Sequence, residues 1–270
     1  MNSLEDRGLR DGSRPSAWAP ASARVISGSL TWSEPQDGDT VGTCPVLGAH
    51  TGFSALEQTV LECAPGRSRP RTTGDREEVL FVLSGEGALH SHGEGHALEP
   101  ESGAYLPAGE SYELEARGPG SMRLVAVTVP DPEHGAAPSA GAVVRRLADQ
   151  ERAAATTQRE FRIVADPASG LRSATHFVGY IPPVRAPEHF HAYDEVIYIL
   201  DGEGVMHVDG ADHPLRAGSS IQLPARTVHC LENTSDAVMR IVAVFRPAGS
   251  PAAAYYPDGT PAYTPTGGEK

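Results

Sequence analysis

The sequence predicts an all-β chain of two tandem barrels with a short helix in the connection between them. Two observations carry this reading. The chain of 270 residues holds 29 glycines and 23 prolines, which punctuate short runs rich in Val, Ile, Leu and aromatic residues; many short strands joined by turns have this composition. The second observation is an internal repeat. A shift of 117 residues lays EEVLFVLSGEGALHSHGEGHALEPESGAYLPAG, from Glu77, on DEVIYILDGEGVMHVDGADHPLRAGSSIQLPAR, from Asp194, without a gap. Glu78 meets Glu195, Gly85-Glu86-Gly87 meets Gly202-Glu203-Gly204, His90 meets His207, and Leu106-Pro107 meets Leu223-Pro224. Two copies of one β unit imply two packed barrels.

Taken in order, residues 1–22 are rich in Arg, Ser, Asp and Pro and read as a mobile tail. Residues 23–130 form the first barrel. Its opening strands lie in VISGSLTW and FSALEQTVLE, separated by the loop-like EPQDGDTVGTCP. Residues 131–158 are the linker. DPEHGAAPSAG is loop-like, and VVRRLADQERAAA has helix formers with a partial i, i+4 pattern, which suggests a short helix. Residues 159–248 form the second barrel. Residues 249–270 are a proline- and glycine-rich tail expected to lie loosely on the surface, with Tyr255-Tyr256 as residues able to pin it to a barrel or to a neighbouring subunit.

The chemistry concentrates in PEHFHAYDEVIYILDG, Pro187 to Gly202. His189, His191 and Glu195 fall at alternate positions of one extended segment, so their side chains share a face. His229 follows after a turn-rich hairpin. Three neutral imidazoles and one carboxylate suit one divalent transition metal: Fe, Mn, Ni, Cu or Zn.

HFHAYDEVIYILDG resembles the first cupin motif, HxHxxxExxxxxxG, and GSSIQLPARTVHCLEN, from Gly218, resembles the second, GxxxxxPxGxxHxxxN. Two positions depart from the motifs: the glycine usual just before the first histidine is missing, and Arg226 replaces a glycine of the second. The resemblance is to a bicupin. It covers roughly residues 24–248 and implies jelly-roll-type double-stranded β-barrels.

The repeat also tests the first barrel. His189, His191, Glu195 and His229 map to Thr72, Gly74, Glu78 and Tyr112, a set unsuited to a transition metal, so the first barrel is expected to carry none. His90, His92 and His96 imitate a ligand cluster. However, His90 and His96 map to His207 and His213, outside the ligand set, and are read as hairpin residues.

The formal net charge of −13 argues against nucleic acid or an anionic membrane as partner. Cys44, Cys63 and Cys230 are odd in number and form no CxxC pair, which favours a reducing cytosol over a disulfide framework. No signal peptide or apolar span is evident at the sequence level. The expectation is a cytoplasmic protein that acts on a small molecule. Lys270 is the sole lysine, in keeping with a GC-rich, bacterial genome. Cupins often exchange edge strands, so the resemblance makes a homo-oligomer a fair expectation.

A metal with open positions marks catalysis. Glu195 is the candidate catalytic residue, as a ligand or as a base when unligated. Tyr193, Ile197 and Ile199, with Phe177, should wall the pocket. Arg226, Arg185 and Tyr193 are the candidate substrate-binding residues, the arginines through a bidentate grip on a carboxylate. The metal set resembles that of cupin dioxygenases and oxalate-type cupins, which implies dioxygenase-like oxidoreductase chemistry.

A second resemblance points elsewhere. CPVLGAHTGFSALEQTVLECAPG, EEVLFVLSGEG and SGAYLPAGES are similar to the first barrel of ureidoglycine aminohydrolases, which implies a hydrolase or lyase using the metal as Lewis acid. That family's Glu-x-His-x3-His set with a distant Gln coincides with this chain only at His191. A non-catalytic binding cupin is the third reading.

Overall fold

The computed structural model describes residues 22–28, 30–130, 141–156 and 158–262. The expected mobile tail at residues 1–21 and the loop-like residues 131–140 lie outside them. The regular structure of the described residues is almost entirely strand, in antiparallel sheets, with three short 3₁₀ turns. One barrel combines a six-stranded and a four-stranded sheet, and the other a seven-stranded and a three-stranded sheet.

The repeat survives at the level of individual strand pairs. Arg76–Ser84 and Asp194–Asp201 are equivalent strands. In the first, Glu78 lies opposite Leu106 on one side and Thr128 on the other. In the second, Glu195 lies opposite Leu223 and Phe245, the same register 117 residues later. The GEG turns repeat for a steric reason. A Cβ on Gly87 would stand 1.9 Å from the Glu115 carbonyl oxygen, and one on Gly204 would stand 2.3 Å from that of Glu232. Only glycine lets these strands close on their neighbours.

Alternation along the strands sorts the buried side chains into three cores. On Asp194–Asp201, Ile197 and Ile199 fill the second barrel, while Val196 and Tyr198 face outward. On Arg76–Ser84, Leu80 and Val82 fill the first barrel, while Val79 and Phe81 face outward. The two outward faces merge into one apolar layer, so the barrels share a dry wall. Glu77, fully buried at that wall, accepts hydrogen bonds from Tyr105 Oη (2.9 Å) and from the backbone N–H groups of Arg172 (3.0 Å) and Ser173 (3.1 Å). This bonding satisfies a carboxylate that burial alone would penalise.

Three features differ from the expected layout. Strand Arg24–Ile26, placed above in the first barrel, pairs instead with Ser220–Ile221-Gln222 of the second. It sits at a sheet edge where those backbone groups need partners. Val143–Arg146, placed in the linker, pairs with Ser102–Tyr105 of the first barrel. The linker helix shrinks to one 3₁₀ turn, Leu147–Asp149, because the β-branched Val143 and Val144 are taken up by that sheet edge. Finally, part of the tail is docked. Phe190 and Tyr255 exchange two backbone hydrogen bonds, of 2.8 and 3.0 Å, and their rings stack at 5.6 Å. Ala252 and Ala254 of the strap this forms are buried.

Candidate metal centre

His189, His191 and His229 come together with ligand-capable atoms all within 4.8 Å of one another, the cluster of this kind found among the described residues. The backbone sets them there. His189 and His229 are direct antiparallel partners, with N–H···O bonds of 3.0 and 2.8 Å in both directions, so their side chains emerge on one face. His191 is two residues along from His189, and its carbonyl accepts from the Arg226 N–H at 2.7 Å. The rings lie 4.5 to 5.2 Å apart, centre to centre.

The outer contacts decide which nitrogen faces the centre. His189 Nδ1 lies 2.9 Å from the Pro187 carbonyl oxygen, His229 Nδ1 2.9 Å from that of Thr227, and His191 Nδ1 2.8 Å from that of Ala253. A carbonyl only accepts, so each Nδ1 carries the hydrogen and each Nε2 keeps a free lone pair. Burial keeps the rings neutral. It holds His191 down at about 3 and lowers His189 and His229, with mutual repulsion among the rings adding to the effect on His191 and His229. Neutral imidazoles with one nitrogen pinned by an outer acceptor are the donor set a divalent ion needs, so the residues fit a metal.

Glu195 lines the same cavity and is buried, but its carboxylate is not a member of the tight three-histidine cluster. Burial pushes it up to about 8, against the opposing pull of Arg159. In this arrangement it stands beside the imidazoles as a proton-bearing group. A cation held by the histidines would favour its ionised form.

Tyr193, Ile197 and Phe177 line the cavity as expected, and Ile199 packs deeper in the barrel core. Tyr193 stacks at 4.6 Å on His191 and at 3.9 Å on Phe245, which fixes the His191 ring from its open side. The cavity is small, about 70 Å³.

The two candidate arginines are elsewhere. Neither Arg185 nor Arg226 lines the cavity; both border a separate surface groove. Arg185 lies 3.6 Å from Glu232, an exposed pair of little energetic consequence. Arg226 sits at φ 66°, the left-handed conformation in which the motif carries glycine, and acts through its backbone N–H.

Sequence reading missed Arg159 and the strap's part in the site, although Tyr255, one of the two tyrosines named as able to pin the tail to a barrel, is the residue that docks it on Phe190. Arg159 lines the cavity and donates from Nη2 to the Leu231 carbonyl at 2.6 Å. Burial pulls its guanidinium down to about 10, so it stays charged at neutral pH. Pro251 and Ala254 of the strap also line the cavity, and the Ala253 carbonyl orients His191. A lone arginine in a loop and an alanine-rich tail have no spacing signature that would have found them.

The decoy histidines have structural roles in both barrels. His90 Nε2 lies 2.8 Å from Glu115, and its counterpart His207 lies 2.9 Å from Glu232. In the first barrel, Glu78 accepts from Tyr112 Oη at 2.8 Å where the second barrel gathers imidazoles.

Comparison with known proteins agrees with this architecture. Residues 59–128 and 177–245 each match the cupin domain family. SchB of Streptomyces halstedii is 36% identical over 62 residues, which is 23% of this chain and 45% of SchB, so the match spans less than half of that relative. Two solved structures resemble nearly the whole chain. Ylba from E. coli aligns with a TM-score of 0.68 at 15% identity, covering 87% of this chain and 94% of Ylba. A mutant of oxalate decarboxylase from Bacillus subtilis aligns at 0.66 and 14% identity, covering 90% of this chain and 81% of the decarboxylase, an enzyme with Mn(II) centres. No described helix is long and apolar enough to cross a membrane. With both barrels matched over more than half its length, the chain belongs to the cupin family, as a bicupin.

Proposed function

We propose that this bicupin is a metal-dependent enzyme acting on a small organic molecule in the second barrel, with dioxygenase-like oxidoreductase chemistry. The observation that carries the reading is the set of three neutral imidazoles, each with Nδ1–H pinned to a carbonyl and Nε2 free. A divalent ion bound there would supply Lewis acidity and, if redox-active, access to dioxygen. The protein's own share is clear in outline. His189, His191 and His229 hold the ion, and Glu195 either completes the set or exchanges a proton with substrate. Tyr193, Phe177 and Ile197 exclude water. The small cavity selects a compact substrate. The acidic net charge disfavours nucleic acid as partner.

The place of Glu195 outside the histidine cluster favours one second reading, a hydrolase or lyase in which the ion acts as Lewis acid and Glu195 as general base. One experiment separates the two. Protein loaded with Fe(II) or Mn(II) is screened against small organic acids and ketones, with dioxygen consumption and release of carbon dioxide or ammonia followed together. Dioxygen uptake supports the first reading; product release without uptake supports the second.

A further inference from the structure

The cavity contains one fixed cation whose bonding is incomplete. Arg159 leaves a tight turn, its N–H bonded to the Thr156 carbonyl at 3.1 Å, and its guanidinium reaches the strand that carries His229. There Nη2 is anchored on the Leu231 carbonyl. Nε is shut off from solvent and has no hydrogen-bond partner among the described residues. A buried N–H of a charged group without an acceptor is costly, and a structure tolerates it where a ligand supplies the acceptor. Arg159 lines the same cavity as all three imidazoles and Glu195, so the guanidinium and the histidines face one space.

Charge balance points the same way. A divalent ion and a guanidinium would share this cavity with two carboxylates, Glu195 and, at its exposed edge, Glu160, whose charge is already paired with Arg152 at 2.7 Å; an excess of positive charge is left in the poorly solvated part of the cavity. An anion would restore the balance. Planar carboxylates match the fixed N–H geometry of a guanidinium better than they match an ammonium. The cavity volume of about 70 Å³ admits a carboxylate of a few heavy atoms. Its apolar side, formed by Phe161, Phe177 and Ile241, suits a short hydrocarbon stem.

We infer that the ligand of this site is a small carboxylate anion, and that Arg159 is its anchor through the free Nε–H. The inference rests on the same cavity as the proposed function, and it names the substrate class that the exposed Arg185 and Arg226 are not placed to recognise.

The test uses acetate and its neutral isostere acetamide, read by saturation-transfer NMR in metal-free and in Zn(II)-loaded full-length protein, with zinc content measured in the same samples. Acetate should bind the metal-free protein at least about tenfold more tightly than acetamide. Arg159→Met should erase that preference, and Arg159→Lys should restore only part of it. Equal binding of acetate and acetamide by the unmodified metal-free protein would overturn the inference without recourse to any variant, as would an acetate preference unchanged in Arg159→Met. Failure to take up zinc, with the acetate preference intact, would instead overturn the metal reading and leave the anchor standing.

Discussion

The two barrels have one backbone and two chemistries. Glu78 and Glu195 occupy the same register between equivalent neighbours. Around Glu195 the positions hold His189, His191 and His229; around Glu78 they hold Thr72, Gly74 and Tyr112. The Tyr112 hydroxyl donates to the Glu78 carboxylate, and the Arg71 guanidinium, opposite Tyr112 in the sheet, supplies positive charge beside it, so that buried acid is served by side chains where the second barrel gathers imidazoles. Gly74 sits at φ 61°, where a histidine would be strained, so converting the first barrel by side-chain replacement would cost backbone strain. The difference teaches that a barrel keeps its strand register through steric requirements such as the GEG glycines, while the mouth is free to gain or lose a metal.

The largest expected effect tests this contrast directly. His189→Ala or His229→Ala should weaken metal binding by about 100-fold or more, since each removes a direct ligand. Tyr112→Ala, at the matching position of the first barrel, should leave metal affinity unchanged. Isothermal titration with Mn(II) or Zn(II) reads both.

Next comes the acid of the second barrel in the metal-free protein. The Glu195 carboxyl rises in the fold from 4.5 to about 8, so the folded state favours its protonated form. Its ionisation in the unfolded chain therefore draws stability away as pH rises from about 4.5 to 8. The cost is absent below that window and complete above it, on the order of 5 kcal/mol. Glu195→Gln should flatten this part of the stability–pH curve in urea unfolding, and bound metal should do the same in the unmodified protein. A slope identical in Glu195→Gln would contradict the burial of an ionisable carboxyl at the centre.

The shared wall gives a smaller effect of opposite sign. By strand register Gln58 in the first barrel corresponds to His176 in the second, and of the two only His176 titrates. It is buried with Nδ1 unpartnered, packs edge-on against Phe81 at 6.0 Å, and is held down at about 3 by burial. A depressed histidine keeps the fold stable above 6.5 and loses that stability as pH falls toward 3. At pH 4.5 the loss should be on the order of 2 kcal/mol, and His176→Leu should recover much of it in unfolding measured at that pH.

The smallest effect concerns a single backbone conformation. Gly109 in the first barrel has φ 82°, and its counterpart Arg226 has φ 66°. Arg226→Gly should stabilise the protein by up to about 1 kcal/mol, read as a rise in Tm, without changing metal content. A substrate anchor at Arg226 would instead show as lost ligand binding in the same variant.

Much of this was legible in the sequence because strand alternation and the 117-residue repeat act locally. His189, His191 and Glu195 share a face by parity, and the repeat predicts the register of Glu78 and Glu195. What was not legible depends on distant partners. The strand Arg24–Ile26 is three residues long among glycines and serines, and its partner lies nearly two hundred positions away. Val143–Arg146 carries helix formers and β-branched residues together, and the open edge at Ser102–Leu106 decided between them. Glu195 lay correctly by parity, yet its separation from the three rings is a matter of side-chain placement that periodicity does not reach. Arg159 is one arginine in a turn, and only the folded chain shows that its Nε faces no acceptor.

The most direct test of the account is metal content per chain, measured by elemental analysis on protein purified without chelator and again after reconstitution with Mn(II), Fe(II) or Zn(II). The account predicts about one equivalent, lost in His229→Ala and retained in Tyr112→Ala. Two equivalents, one equivalent that survives His229→Ala, or none after reconstitution would contradict it.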